Sequence, residues 1–186
     1  ELSQKIINKV QNRFDKEYKP REEQGLLRRY SDITQVDMSS GNWLVLSSAN
    51  YFLEDAKDLC EIQGWYYQCK GINSVPLKLL LALNNWEHWR KGELLNHLEI
   101  KNIYEYLGDN VLVGFQKGKT LHSDAKYTLK ECQDQHGLLT SNVWFESFNG
   151  LDPMTETYIR NMRANGETLN KNPRIKMSTI HAAKGG

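Results

Sequence analysis

Eight residues at the end of the chain, Thr179-Ile180-His181-Ala182-Ala183-Lys184-Gly185-Gly186, combine side chains and backbone that suit a phosphate. Small side chains let a phosphate approach backbone N–H groups, Lys184 supplies a full positive charge, and His181 supplies a neutral or charged donor. The segment follows Arg174 to Thr179, which reads as a strand after Asn172-Pro173. In an open α/β sheet it therefore falls at the carboxyl edge, where such folds bind ligands. From Met154 onward six basic residues (Arg160, Arg163, Lys171, Arg174, Lys176 and Lys184) stand against two acidic ones, Glu156 and Glu167. A local excess of four in a chain of net charge +1 suits a phosphate-facing patch.

A second stretch imitates phosphate chemistry without meeting its geometry. Gly114-Phe115-Gln116-Lys117-Gly118-Lys119-Thr120 follows the apolar Val111-Leu112-Val113. A P-loop needs four residues between its glycines so that successive N–H groups wrap the phosphate, and here Val113 stands where the first glycine belongs. No later apolar run ends in a suitable magnesium-binding acid, so the stretch reads as a lysine-rich hairpin turn. His88, His97, His122 and His136 have no spacing that gathers metal ligands on one helix face. Trp86 and Trp89, next to Arg90 and Lys91, have the chemistry to stack on bases, although Trp86 shares the apolar face of its helix and reads as core. No local context marks a Ser/His/Asp or Cys/His catalytic set.

These residues need elements to position them. Leu2, Ile6, Ile7, Val10 and Phe14 predict an amphipathic helix ending before Lys19-Pro20. Asn42 to Ser47 predicts a buried strand; Leu53, Ala56, Leu59 and Cys60 predict a helix stopped at Gly64; Trp65-Tyr66-Tyr67 starts another strand. Strand, helix, strand with short connections is the order of a parallel α/β sheet. Beyond Gly71 the period becomes helical: Leu77, Leu80, Leu81, Leu83 and Trp86 mark one helix, and Ile100, Ile103, Tyr104 and Leu107 another. Between Gly108 and Gly150 the signals are mixed, with short apolar runs at Val111–Val113 and Val143–Phe145. A last helix starts at Asp152-Pro153, capped by Asp and opened by Pro, and runs toward Gly166.

Composition excludes several classes. With 186 residues, 39% hydrophobic and 25% charged, the chain is neither disordered nor collagenous. It carries no long apolar span and no basic-then-apolar leader, so no membrane association is expected. Three cysteines (Cys60, Cys69, Cys132) without a CxxC pair point to a reducing compartment, and the cytoplasm is the expected location.

Met177 to Gly186 resembles motif V of the UvrD/Rep-like superfamily 1 DNA helicases: a strand, then Thr-(Leu or Ile)-His-x-x-Lys-Gly, a small or apolar residue and Glu. Trp43 to Leu53 is similar to the strand-to-helix junction that opens the second RecA-like domain of that family. Trp65 to Gly71 is similar to the strand that leaves this domain before its helical insertion. The three stretches occur in the family's order. Ser48 and Ala49 depart from it where relatives often carry Arg-Thr, so only Asn50 carries over at that junction.

The resemblance implies a RecA-like parallel sheet with helices, truncated, plus a mainly helical inserted subdomain. Residues 1–74 and 171–186 map to the RecA-like domain and residues 75–170 to the insertion. It implies that Asn50, Thr179, His181 and Lys184 line a path for single-stranded DNA and that Gly185 and Gly186 turn the chain into a following helix. It further implies that the motif's Glu lies past Gly186, and that the P-loop domain lies before Glu1. ATP and Mg2+ would bind in the full-length parent, an ATP-dependent helicase, with no catalytic residue, metal or cofactor held by the fragment alone. The alternative is a non-enzymatic module that binds nucleic acid or protein.

Overall fold

A computed structural model describes Lys9, Glu22 and residues 24–108, 110–113, 121–169 and 171–184. Apart from Lys9, the predicted helix Leu2 to Phe14 lies outside the described residues, as do the loop Gly114 to Thr120 and Gly185 and Gly186. The chain divides into two units, residues 1–31 and 32–186. In the first, residues 24–30 form neither helix nor strand.

The second unit is a mixed α/β structure. In chain order it contains β1 (Trp43–Ser47), α1 (Glu54–Gln63), β2 (Tyr67–Cys69), β3 (Ile72–Asn73), α2 (Leu77–Arg90), β4 (Leu95–Asn96) and α3 (His97–Tyr104). There follow β5 (Lys126–Tyr127), α4 (Leu129–Gln135), α5 (Trp144–Ser147), α6 (Pro153–Ala164), β6 (Ile175–Thr179) and α7 (Ile180–Ala183). Two short 3-10 turns, Ile33–Gln35 and Asn50–Leu53, precede β1 and α1.

The main sheet has the order β1-β6-β2-β3, with β6 parallel to both β1 and β2 and β3 antiparallel at the edge. Side chains alternate across it as the pleat requires. Ile175 and Met177 of β6 are buried, together with Tyr67 of β2. On the opposite face Leu44 is 61% and Leu46 45% exposed, with Lys176 exposed beside Leu44. The strand predicted as buried is therefore covered on one face only, the face that carries Ile175 and Met177, which share one buried cluster with Ala56, Leu59 and Cys60 of α1 and Ile159 and Met162 of α6.

α1 buries Ala56, Leu59 and Cys60, the stripe that its period predicts. It ends where Gly64 adopts φ 68° and the N–H groups of Gly64 and Trp65 donate to the carbonyls of Glu61 and Cys60, the Schellman pattern. The left-handed turn brings the chain hard against α6, so that a Cβ at Gly64 would lie 2.7 Å from the Asn161 carbonyl carbon. The predicted start of α6 is also found, with the Asp152 carboxylate accepting from the Thr155 N–H at 2.9 Å and Pro153 in the first turn. α6 falls within residues 75–170 yet packs on α1. The Tyr158 hydroxyl donates to the Trp65 carbonyl at 2.8 Å, and the Asn165 amide to the Gln63 carbonyl at 2.5 Å.

The helical segment between β3 and α6 has an aromatic centre. Trp86, Trp89 and Phe148 are almost fully buried, and Trp86 meets the other two rings edge to face at 6.0 and 5.8 Å. Each indole N–H is satisfied at 3.0 Å, Trp86 by the Asn142 carbonyl and Trp89 by the Tyr127 carbonyl. Neither ring has a face for a base, which corrects the stacking expectation for Trp89. Val143–Phe145 runs into the single-turn helix α5, and Leu112 forms an isolated bridge with Leu138.

Candidate nucleic-acid interface

β1 and β6 run side by side in register, Trp43 opposite Ile175 through Ser47 opposite Thr179, so both strands end at the same level. Beyond that level the two chains turn in different ways. β1 passes through Ser48 and Ala49 into the 3-10 turn at Asn50, with the Ser47 hydroxyl donating to the Ala49 carbonyl at 2.7 Å. β6 turns into α7, whose start is capped by the Thr179 hydroxyl oxygen accepting from the Ala182 N–H at 3.3 Å. The 3-10 turn touches β6, and α7 touches β1.

The two sequence stretches that carry Asn50 and Thr179 to Lys184 thus meet at one carboxyl edge, although more than a hundred positions separate them in the chain. Asn50, His181 and Lys184 are exposed and Thr179 is half-buried. Their chemistry is that of phosphate contact: an ammonium, an imidazole, an amide and a hydroxyl, none consumed by the core. Gly185 and Gly186, expected to form the following turn, lie outside the described residues.

The excess of basic residues does not gather at this edge. Arg174 is held in the structure, its guanidinium bound to the Glu167 carboxylate at 2.5 and 3.0 Å and donating to the Met38 carbonyl. Arg160 lies over the Phe145 ring at 4.1 Å and pairs with Glu156 at 3.5 Å. Arg163 lies over Trp144 at 5.2 Å, and Lys176 is on the uncovered sheet face. Lys184 is the member of the set that follows β6 at the carboxyl edge, because linear charge counting ignores which way each element points.

Sequence reading missed a second cation at that edge. Lys70 and Gly71 form the two-residue turn between β2 and β3, with φ 51° and 83°, the positive pair of a hairpin whose twist matches its strands. The Lys70 N–H extends the pairing of β2 with β6 by donating to the Met177 carbonyl at 2.9 Å. Its side chain lines a cleft of about 350 Å3 together with Asn50 and Lys57. Lys57 pairs with Glu54 at 2.8 Å, and that hydrogen bond holds its pKa above the ordinary lysine value. A residue followed by glycine between two short apolar runs was the available signal.

Among the described residues no group of three or more His, Cys, Asp or Glu side chains could hold a metal ion. His88 bonds Glu93 through Nδ1 at 2.7 Å, and His136 packs edge to face on Tyr127. Cys60, Cys69 and Cys132 are free thiols, and no described helix is long and apolar enough to cross a membrane. No protein-family model, curated protein or solved structure matches this chain.

Proposed function

We propose that the chain is part of a superfamily 1 DNA helicase, most of a second RecA-like domain with its insertion, and that it contributes contacts to single-stranded DNA. The observation that carries the reading is the shared carboxyl edge of β1 and β6, past which β1 leads into the turn that begins at Asn50 and β6 into the segment Thr179 to Lys184. The strand order supports it as well, since β6 returns from the far side of the helical segment to lie between β1 and β2. Contacts of this kind go to phosphates and carry no base information, so a translocase using them can step along any sequence.

ATP and Mg2+ belong, on this reading, to the interface with a P-loop domain of the same polypeptide. On the same reading the present chain supplies a wall to that interface, and no step of hydrolysis is assigned to it. Nucleotide-driven closure of the two domains would move the Asn50 turn and the Thr179–Lys184 segment against the strand.

The test is fluorescence anisotropy of the full chain with poly-dT and mixed-sequence oligonucleotides over a salt series. Lys184→Ala should weaken binding to both alike and flatten the salt dependence by about 0.7 in log–log slope, the value for one phosphate contact on a single strand. Unchanged affinity and slope would remove Lys184 from the DNA path and favour a module that binds protein.

A further inference from the structure

The helix α2 is apolar on more than one side. Leu79, Leu83, Trp86 and Trp89 turn inward and are buried, yet Leu77 is 58% and Leu81 49% exposed. A helix apolar all round is ordinarily covered all round. Leu77, Leu81, Asn84, His88 and Lys91 follow at helical spacing, forming one stripe along the helix. That stripe is a wall of a groove of about 740 Å3. The opposite wall is built by Val143, Trp144 and Phe145 around α5, by Arg163 of α6, and by Glu167 to Leu169. Fourteen residues at 1.5 Å each give the stripe a length of about 21 Å, more than a metabolite needs and suited to several turns of a peptide helix.

Charge selects the kind of peptide. Both carboxylates in the groove are committed: Glu87 to Arg90 at 2.8 Å and to the Trp144 N–H at 3.1 Å, Glu167 to Arg174. His88 is bonded to Glu93. Lys91 has no ion pair among the described residues, and Arg163, which feels Glu87 only through space, has the Trp144 ring as its contact. The uncommitted charge is thus positive, at one end of the groove and on its wall, while the Leu77 and Leu81 end is apolar. A nucleobase fits less well, because Phe145 and Trp144 each already carry a guanidinium over a face and Trp144 is otherwise buried.

We infer that this groove docks an acidic amphipathic peptide segment of a partner protein, its apolar residues on Leu77 and Leu81 and its carboxylates on Arg163 and Lys91. The site is separate from the carboxyl edge of β1 and β6 and does not depend on the DNA reading.

The experiment is anisotropy of a labelled synthetic helical peptide with leucines and glutamates on one face, against a counterpart with lysine in place of glutamate, both titrated with the full chain. The acidic peptide should bind saturably and the basic one should not. Leu81→Glu and Arg163→Ala should each weaken binding about tenfold or more, Lys91→Ala less, and Lys184→Ala should leave it unchanged. All four substitutions are at exposed positions, and circular dichroism checks that the fold survives. Absence of binding, or equal binding of the two peptides, overturns the inference. So does displacement of the acidic peptide by poly-dT with loss of DNA affinity in Arg163→Ala, which would make the groove a nucleic-acid site. Self-association abolished by Leu81→Glu overturns it as well, in favour of a second copy of the chain.

Discussion

The mixed sheet and the helical segment that interrupts it use aromatic and basic residues in opposite ways. In the sheet, β6 finds both its neighbours more than a hundred positions back in the chain, and the residues past its end, His181 and Lys184 among them, are left exposed. In the helical segment the residues with the look of a binding site, Trp86 and Trp89 beside Arg90, are the core. The indoles pack on each other and Trp86 on Phe148, and the Arg90 guanidinium is held by Glu87 and the Ser141 carbonyl. Residue type alone therefore points to the wrong place for chemistry. A side chain is available to a ligand only where the core has not already used it.

Removing the centre of the helical segment tests how far this difference extends. Trp86→Ala should cost about 3–5 kcal/mol, since it leaves a cavity at the centre of the aromatic cluster and removes one of the two hydrogen bonds to the Asn142 carbonyl, the other coming from the Ser147 hydroxyl. The loss should appear as one urea transition. It should also lower hydrogen-exchange protection in β1 and β6, because α6 ties the two regions, bonding the Trp65 carbonyl and the Ser74 hydroxyl through Tyr158 and covering the Phe145 and Trp144 rings with Arg160 and Arg163. Protection in β1 and β6 that survives while the helices open would make the helical segment an independent unit.

The seam between α1 and α6 is the next place to break. Gly64→Ala combines a left-handed backbone with a collision against Asn161, and should destabilise by about 2–4 kcal/mol in thermal or urea unfolding. Gly71→Ala is the control. It has a similar positive φ but open space around it, so it should cost about 1 kcal/mol. Equal losses at the two positions would mean that the seam contributes nothing beyond backbone strain.

The smallest effect sharpens the comparison through one thiol type in two settings. Burial pushes the Cys60 thiol on the sheet side up to about 12 and the Cys132 thiol on the helical side up to about 11. Because the folded values lie above the ordinary thiol value, the stability gained from neutral thiols is complete below about pH 9 and is lost as pH rises through 11 and 12. At pH 8 a disulfide reagent should modify the half-buried Cys69 first, with Cys60 and Cys132 reacting only as the chain unfolds. Fast labelling of Cys132 in the folded chain would show that the helical region opens locally.

Much of the local structure was legible before any tertiary information. The stripe Ala56, Leu59 and Cys60, the stop at Gly64, the Asp152-Pro153 start and the return strand at Ile175–Thr179 all rest on interactions within a few residues: helical period, capping and turn geometry. The weakly patterned region from Gly108 to Gly150 was not legible. Its described elements are short, the two-residue strand β5, the seven-residue helix α4 and the single turn α5, and β5 finds its partner β4 about thirty positions earlier, where the chain folds back. Lys70 was missed for a related reason, since its place at the carboxyl edge follows from the pairing of β2 with β6 and from nothing adjacent in sequence.

The sequence by itself determined which segments are helix and which are strand wherever the apolar period and the caps agree, and it placed Asn50, Thr179, His181 and Lys184 at the ends of such elements. The tertiary structure alone decided that β6 inserts between β1 and β2, bringing Thr179 opposite Ser47, that Arg174 serves Glu167 and the Met38 carbonyl, and that both tryptophans of α2 are core. The physical reason is range. Propensity, capping and turn chemistry act within about four residues along the chain, whereas strand neighbours and burial are set by which distant surfaces exclude water together.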